Sequence, residues 1–314
     1  MNVSAEERQD VYGRGSRQEH ILFAAFYILV SIVAVPGNTL ALWAFCRQKS
    51  TSPSKVFLRN LAIADISYVL ILPMRTVYHL SENHWPFGKI FCHLAGFLFY
   101  LNMYCSVYLM TFISLDRLLA LVLPFRSRTV RKPKYAVVAV SILWITVIVS
   151  MSPLLVSGMH VTSNSTVMCT RLYLENASLE ALVSTIVAFL IPLTTIVVSY
   201  LIILLKLRTV TQQEARPLKD KAVKMIVLIM MNFLFAFVPY HVSRVIYTGS
   251  SRLHVTGAAN DSLALVNRIT SALTCVSAVL DPIMYFFLAN TYKDKLKWIF
   301  NRNRQAEQQT TNVI

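Results

Sequence analysis

Seven apolar blocks, at approximately 21–46, 56–79, 89–122, 135–157, 179–207, 221–248 and 262–288, run through this 314-residue chain between basic or turn-rich breaks. A helix needs about 20 apolar residues to cross a bilayer core, and every block reaches that length. None alternates strictly between apolar and polar as barrel strands do, so each is expected to be a membrane-spanning helix. Composition excludes the competing classes. Charged residues make up only 14% of the chain, against about a quarter in a soluble domain, and mean hydropathy is +0.54. A net charge of +15 on so few charged residues does not supply the clustered Lys and Arg face of a nucleic-acid-binding protein, so no nucleic-acid partner is expected. The first block follows the polar stretch Asn2 to His20, exceeds a signal peptide's apolar core and has no small-residue cleavage pattern after it, so it is expected to stay in the mature chain.

Basic residues set the orientation. With the N-terminus outside, 21 of the 30 Lys and Arg fall on the inner side, among them Arg126, Arg128, Arg131, Lys132 and Lys134 in one loop and Lys219, Lys221 and Lys224 in another. Five inner carboxylates accompany them. The positive-inside rule then places the N-terminus outside and the C-terminus in the cytoplasm. Asn-x-Ser/Thr acceptors begin at Asn2, Asn164, Asn176 and Asn260, and all four fall on the outer side, where glycosylation occurs. The expected organisation is an extracellular N-terminus at 1–20, a seven-helix transmembrane domain at 21–288, and an amphipathic helix with a cytoplasmic tail at 289–314. Cys92 at the outer mouth of the third block and Cys169 in the loop after the fourth both face the oxidising side, where a disulfide persists; two unpaired thiols are the alternative. Cys46, Cys105 and Cys275 lie inside blocks, where a cysteine serves as a small hydrophobe.

Ionisable groups inside spans are costly and face the bundle interior or a water-filled path. Asp65 lies in the second block and Asp281 in the seventh, while Asn102 and Ser106 share one face of the third at i, i+4. Together with Asn38 and Ser277 they form a candidate polar knot. Two carboxylates among such oxygens suit a sodium ion, or one shared proton; an interhelical hydrogen-bond network without an ion is the plain alternative. Asp116-Arg117 ends the third block, where an arginine can pair with the aspartate or swing to a partner's carbonyls and act as a two-position switch. Prolines recur within spans at Pro73, Pro153, Pro192, Pro239 and Pro282, and each removes a backbone donor and kinks its helix. The stretch Phe233, Phe237, Pro239, Tyr240 reads as a hinge.

These residues resemble the rhodopsin-like (class A) G-protein-coupled receptors over roughly 21–300. The resemblance is carried by Gly37-Asn38, Leu61 and Asp65, Cys92 with Asp116-Arg117 twenty-five residues on, Trp144, Pro192 and Tyr200, Phe237 and Pro239, and Asp281-Pro282 with Tyr285. Asp-Arg-Leu stands where the family has Asp-Arg-Tyr, Asp281-Pro282 where it has Asn-Pro, and Phe237 at the usual tryptophan; the last two are similar to the purinergic and lipid-mediator branch. Within that branch the runs Gly37–Trp43, Gly96–Tyr104 and Asn267–Thr270, with Trp85-Pro86-Phe87-Gly88 and Pro239–Arg244, look like receptors for nucleotides and cysteinyl leukotrienes. The second disulfide common in nucleotide receptors has no cysteines here, and Arg268 falls one turn from their usual arginine. The resemblance implies an all-α seven-helix receptor of the plasma membrane that opens a cytoplasmic cleft to a heterotrimeric G protein, with arrestin as a further partner. Asp116, Arg117, Tyr200, Phe237, Pro239, Asp281, Pro282 and Tyr285 form its switch. Lys219 stands where some relatives carry an acid that holds Arg117, so that clasp cannot form.

The outer third of the bundle is expected to carry Arg75, His79, Arg244 and Arg268, with His241 nearer the middle and three residues from Arg244 on one face. Arginine forks recognise phosphate or carboxylate with paired hydrogen bonds. Tyr78, Phe99, Tyr100, Tyr104 and Tyr240 offer stacking or acyl-packing surface. An anionic, partly apolar small-molecule or lipid ligand follows: a nucleotide or cysteinyl leukotriene, a lysophospholipid or a small carboxylate. In the alternative, Arg75 and Arg268 snorkel to the interface or pair with Glu82 or Asp261, and His241 is a neutral core histidine. Phe99 occupies the region where amine receptors use an acid, and no lysine between Lys224 and Lys293 can form an opsin Schiff base. On the inner side, Tyr292, Leu296, Ile299 and Phe300 can face the lipid bilayer while Lys293, Lys295 and Lys297 meet its headgroups. A cation-coupled transporter using Asp65 and Asp281 is the alternative from another class, but repeat-related halves are not visible. The seven histidines are dispersed without metal-site spacing, so no enzyme and no cofactor beyond sodium is expected.

Overall fold

A computed structural model of the chain describes residues 16–47, 52–123, 131–156, 179–209, 227–252 and 258–288, with Thr129, Cys169, Leu172 and Lys224 between them. Among the described residues, seven helices are long and apolar enough to cross a membrane: α1 (Arg17–Cys46), α2 (Pro53–Leu80), α3 (Gly88–Val122), α4 (Pro133–Leu155), α5 (Leu182–Lys206), α6 (Val227–Ser250) and α7 (Ala259–Phe286). Local chemistry sets where the first four begin. Ser16 caps α1 by accepting from the Glu19 amide at 3.2 Å. Pro53 and Pro133 open α2 and α4, where a missing N–H costs nothing. Gly88 opens α3 at φ 75°, a conformation that favours glycine, and its carbonyl accepts from Trp85 Nε1 at 2.8 Å.

α1 packs on α2, α2 on α3, α3 on α4 and α5, α5 on α6 and α6 on α7, and α7 closes against α1 and α2. Buried residues from every helix form one core, centred on α3. α4 lies at the periphery, with 17% of its most apolar stretch buried against 61% for α2. The outward faces are strongly apolar: Ile28, Leu29 and Ile32 on α1, Ile142 and Ile145 on α4, Leu201 and Leu205 on α5. Such a surface is far larger than a soluble monomer exposes, and hydrocarbon is its natural neighbour.

Pro73, Pro153, Pro282 and Pro239 are accommodated in different ways. In α2 the helix breaks between Val69 and Leu72, beside Pro73, and Arg75 N–H resumes the ladder on the Ile71 carbonyl at 3.1 Å. In α4 the carbonyl that Pro153 cannot serve is that of Val149, and the Ser152 hydroxyl donates to it at 2.8 Å. In α7 the carbonyl freed by Pro282 belongs to Ala278, and Asn38 of α1 donates to it at 2.8 Å. α6 absorbs Pro239 differently, through a single π-helical turn at Phe233–Phe237, a device that widens the helix and frequently marks functional sites. α7 also breaks between Leu273 and Val276, with Cys275 and Ser277 amides reaching back three residues. The region 291–300, expected to be amphipathic, lies outside the described residues.

Candidate functional site

Cys92 and Cys169 form a disulfide with Cα atoms 5.6 Å apart, which fixes one end of the bundle as the disulfide end; Asp116 marks the other. The bridge delivers Leu172, fully buried, onto the helices. There the Leu172 carbonyl accepts from Arg75 Nη2 at 3.2 Å, and Arg75 Nη1 donates to the Tyr27 hydroxyl at 3.3 Å. The Arg75 guanidinium also lies 4.7 Å from the Phe99 ring centroid and 5.8 Å from that of Tyr68, a cation–π setting. Arg75 is therefore wholly enclosed rather than snorkelling, and it links Leu172 to α1 and α3. His79 stacks on Phe23 at 4.8 Å and faces His20, Nδ1 to Nδ1, at 3.3 Å. Tyr78 packs edge-on against Trp85.

A second group of expected residues converges deeper in the bundle. The Tyr100 and Tyr240 hydroxyls lie 3.1 Å apart, both against Phe99. Tyr104 donates to Thr185 Oγ1 at 3.5 Å. Arg244 is buried and close enough to Tyr100, Tyr104 and Tyr240 to act electrostatically on all three hydroxyls. His241 stacks on Phe189 with centroids 3.8 Å apart, and its Nδ1 meets the Phe237 carbonyl at 2.8 Å. A carbonyl only accepts, so Nδ1 carries the proton and Nε2 of the neutral ring is an acceptor; it meets no partner among the described residues. Arg268 is nine-tenths buried and near enough to His20 and His79 to act on both. The arginines thus divide, with Arg75 against the Leu172 carbonyl, Arg268 within electrostatic reach of the histidine pair and Arg244 within that of the tyrosine hydroxyls.

In the middle of the bundle Asp65 and Asp281, both fully buried, meet carboxyl to carboxyl. Asp65 Oδ1 accepts from Asn102 Nδ2 at 3.2 Å and its Oδ2 from the Tyr285 hydroxyl at 3.2 Å, while Asn102 Nδ2 also lies 3.4 Å from Ser106 Oγ. Asp281 Oδ1 accepts from Asn232 at 2.8 Å, and its buried Oδ2 has no donor among the described residues. Two facing carboxylates, with Asp281 Oδ2 left over after the Asn102, Tyr285 and Asn232 donors, fit a hard cation, which takes oxygen ligands, or one shared proton. Ser277 stands apart, its hydroxyl given to the Thr274 carbonyl at 2.8 Å. Asn38 likewise serves α7 rather than the carboxylates.

At the Asp116 end one carboxylate holds two guanidiniums. Arg131 donates Nε to Asp116 Oδ1 at 2.7 Å and Nη2 to Oδ2 at 3.0 Å, in fork geometry. Arg117 approaches Oδ2 at 3.1 Å and also donates to the Ser54 hydroxyl, which itself donates to Asp116 at 2.6 Å. Tyr200 and Ser114 share a hydrogen bond of 2.9 Å one turn inward. Sequence reading missed Arg131, Ser54 and Asn232 as partners. Asn232 carries a signal, being an amide inside an apolar span. Arg131 is one of several cations in its loop, and nothing local marks it out. Lys219, Asn2, Asn164 and Asn176 lie outside the described residues. Asn260 sits, half-buried, in the first turn of the helix Ala258–Leu273.

Residues 37–285 match the family described as 7 transmembrane receptor (rhodopsin family). The chain is 53% identical to the human uracil nucleotide/cysteinyl leukotriene receptor over 286 residues, covering 90% of this chain and 78% of that one. It is 32% identical to human cysteinyl leukotriene receptor 2, over 93% of this chain and 85% of the relative. A human purinoceptor is 31% identical, over 87% of this chain and 75% of the relative.

Proposed function

The chain belongs to the rhodopsin family of seven-transmembrane receptors, and from that premise we propose that it binds an extracellular anionic ligand of nucleotide or cysteinyl-leukotriene type and passes the signal to a heterotrimeric G protein. Membership makes it a multi-pass membrane receptor coupled to a G protein, and sets aside the transporter and enzyme readings. The observation that carries the ligand class is the burial of Arg244 within electrostatic reach of the Tyr100–Tyr240 pair and Tyr104. A guanidinium keeps its charge when buried and offers a planar fork to phosphate or carboxylate. The surrounding rings suit a base or an acyl chain. Relatives named for uracil nucleotides and cysteinyl leukotrienes support the same class. A lysophospholipid is the alternative that would also use the aromatic wall, whereas a small carboxylate would satisfy the arginine alone.

In this reading the disulfide end faces outward, residues 1–20 are extracellular and residues 289–314 cytoplasmic, with arrestin sharing the inner face with the G protein. Ligand contact with Arg244 and His241 acts on α6 above the Phe233–Phe237 turn. An agonist that binds the arrangement with α6 swung outward better than the closed one shifts the population toward it, exposing Arg117, Tyr200 and Tyr285. Asp65, Asp281, Asn102 and Ser106 would hold a sodium ion between the two ends and favour the closed arrangement. Asp65→Asn is expected to abolish any sodium effect on agonist affinity; an undiminished effect contradicts the ion site.

Arg244→Ala tests the ligand class. With surface expression normal, it should lower potency of an anionic agonist by about 30-fold or more, the loss expected on the order of 2 kcal/mol for stripping one partner from a buried charged contact. Arg244→Lys keeps the charge without the fork and should recover part of it. Unchanged potency in Arg244→Ala overturns the reading.

A further inference from the structure

At the Asp116 end, a groove of about 160 Å³ runs between the first turns of α2 and α4 and the last turns of α3. Its walls are apolar, formed by Phe57, Phe112, Tyr135 and Ala139. An engineered apolar cavity of about 150 Å³ admits benzene, so this groove has room for a short stretch of hydrocarbon chain and not for a folded segment of protein. Its rim at Tyr135 is 51% exposed. From there α4 continues outward with Val138, Ile142 and Ile145, all exposed and at helical spacing on one face. The groove therefore opens onto a surface that meets acyl chains.

Its edge is cationic. Arg131 and Lys132 line it beside Asp116, and that carboxylate is already engaged by Arg131, Arg117 and Ser54. Arg131 uses only Nε and one Nη2 proton on Asp116, leaving the other N–H groups of its five-donor fork for a second anion. Lys132 enters no ion pair among the described residues. A positive edge above an apolar slot, at the boundary where a spanning helix begins, matches the layout of a phospholipid whose headgroup is anionic.

We propose that this groove binds an anionic phospholipid of the inner leaflet, its phosphate on Lys132 and the outer edge of the Arg131 fork, one acyl chain between Phe57, Phe112 and Tyr135. The leaflet rests on the orientation proposed above; the binding itself does not. Because the same fork holds Asp116, an occupied groove ties membrane composition to the Arg117 switch.

The test uses the purified full-length chain in detergent, with native mass spectrometry counting retained phosphatidylinositol 4-phosphate against phosphatidylcholine of the same acyl chains. Wild type should retain one copy of the anionic lipid in preference to the neutral one. Lys132→Gln should weaken retention about fivefold, the size expected for one cation at an anionic surface. Ala139→Trp, which fills the slot and leaves both charges, should abolish it; where that variant fails to fold, the smaller Ala139→Leu replaces it and should weaken retention. Lys206→Gln, a cation on α5, should change nothing. Equal retention of both lipids, or full retention by a folded Ala139 variant, overturns the site. A free inositol phosphate that competes fully would show charge recognition without the groove and also overturn it. Vesicles with the anionic lipid in one leaflet then test the placement: binding is expected only from the leaflet at the Asp116 end, and binding from the opposite leaflet also overturns the site.

Discussion

Asp116 divides one negative charge between Arg131, in fork geometry at 2.7 and 3.0 Å, and Arg117 at 3.1 Å. Both guanidiniums are about a quarter exposed and the carboxylate is buried, so solvent screening weakens each pair while leaving the competition between them intact. Two single substitutions should therefore move ligand-free signalling in opposite directions. Asp116→Asn releases Arg117 and should raise basal G-protein activation. Arg131→Gln leaves Arg117 as the carboxylate's one cation and should lower it. Guanine-nucleotide exchange on matched amounts of surface receptor measures both, and a rise in each would contradict the shared-charge account. The residues that do the holding were legible to different degrees. Asp65, Asp281, Asp116 and the arginines stand out because charge inside an apolar span is costly. Arg131 did not, since its partner is chosen by how two helix ends and a loop meet, and no spacing rule encodes that meeting.

α1 and α7 are joined by a contact in which neither partner tolerates bulk. A Cβ on Gly37 would lie 2.7 Å from Pro282 Cγ, and the adjacent Asn38 supplies the donor that Pro282 removes from Ala278. Small residues permit such close approach where helices pack within lipid. Gly37→Val should cost about 1–3 kcal/mol through overpacking, seen as a lower unfolding temperature of purified receptor and reduced surface expression. Gly249→Ala, whose added Cβ meets nothing within 4 Å, is the matched control and should be neutral or slightly stabilising. Equal effects would mean that the α1–α7 contact is not tight. All seven elements were readable from apolar length, and the kinks at Pro73, Pro153 and Pro239 from proline itself. The π geometry of the Phe233–Phe237 turn was not, because proline reports a missing hydrogen bond and not how the helix absorbs it. The break between Leu273 and Val276 has no proline at all, so composition gave no sign of it.

The whole molecule places positive charge at both ends of a hydrocarbon-facing bundle, for different purposes. At the disulfide end Arg75, Arg244 and Arg268 are buried among rings, and the Cys92–Cys169 bridge brings the Leu172 carbonyl onto Arg75. At the other end Arg117 and Arg131 converge on one aspartate. Between them the Asp65–Asp281 pair joins α2 to α7 and, through Asn232, to α6 just before its π turn. A ligand that pulls on Arg244 and His241 therefore acts on a helix whose lower half is tethered to the buried carboxylates. The most direct measurement is agonist-driven nucleotide exchange on a purified heterotrimeric G protein, by this receptor in bilayers, across matched anionic and neutral forms of the same ligands. Uracil nucleotides against uridine, and cysteinyl leukotrienes against their esters, make the comparison. Exchange that rises with an anionic member and is lost with its neutral form is the predicted result; exchange driven equally by the neutral forms would contradict it.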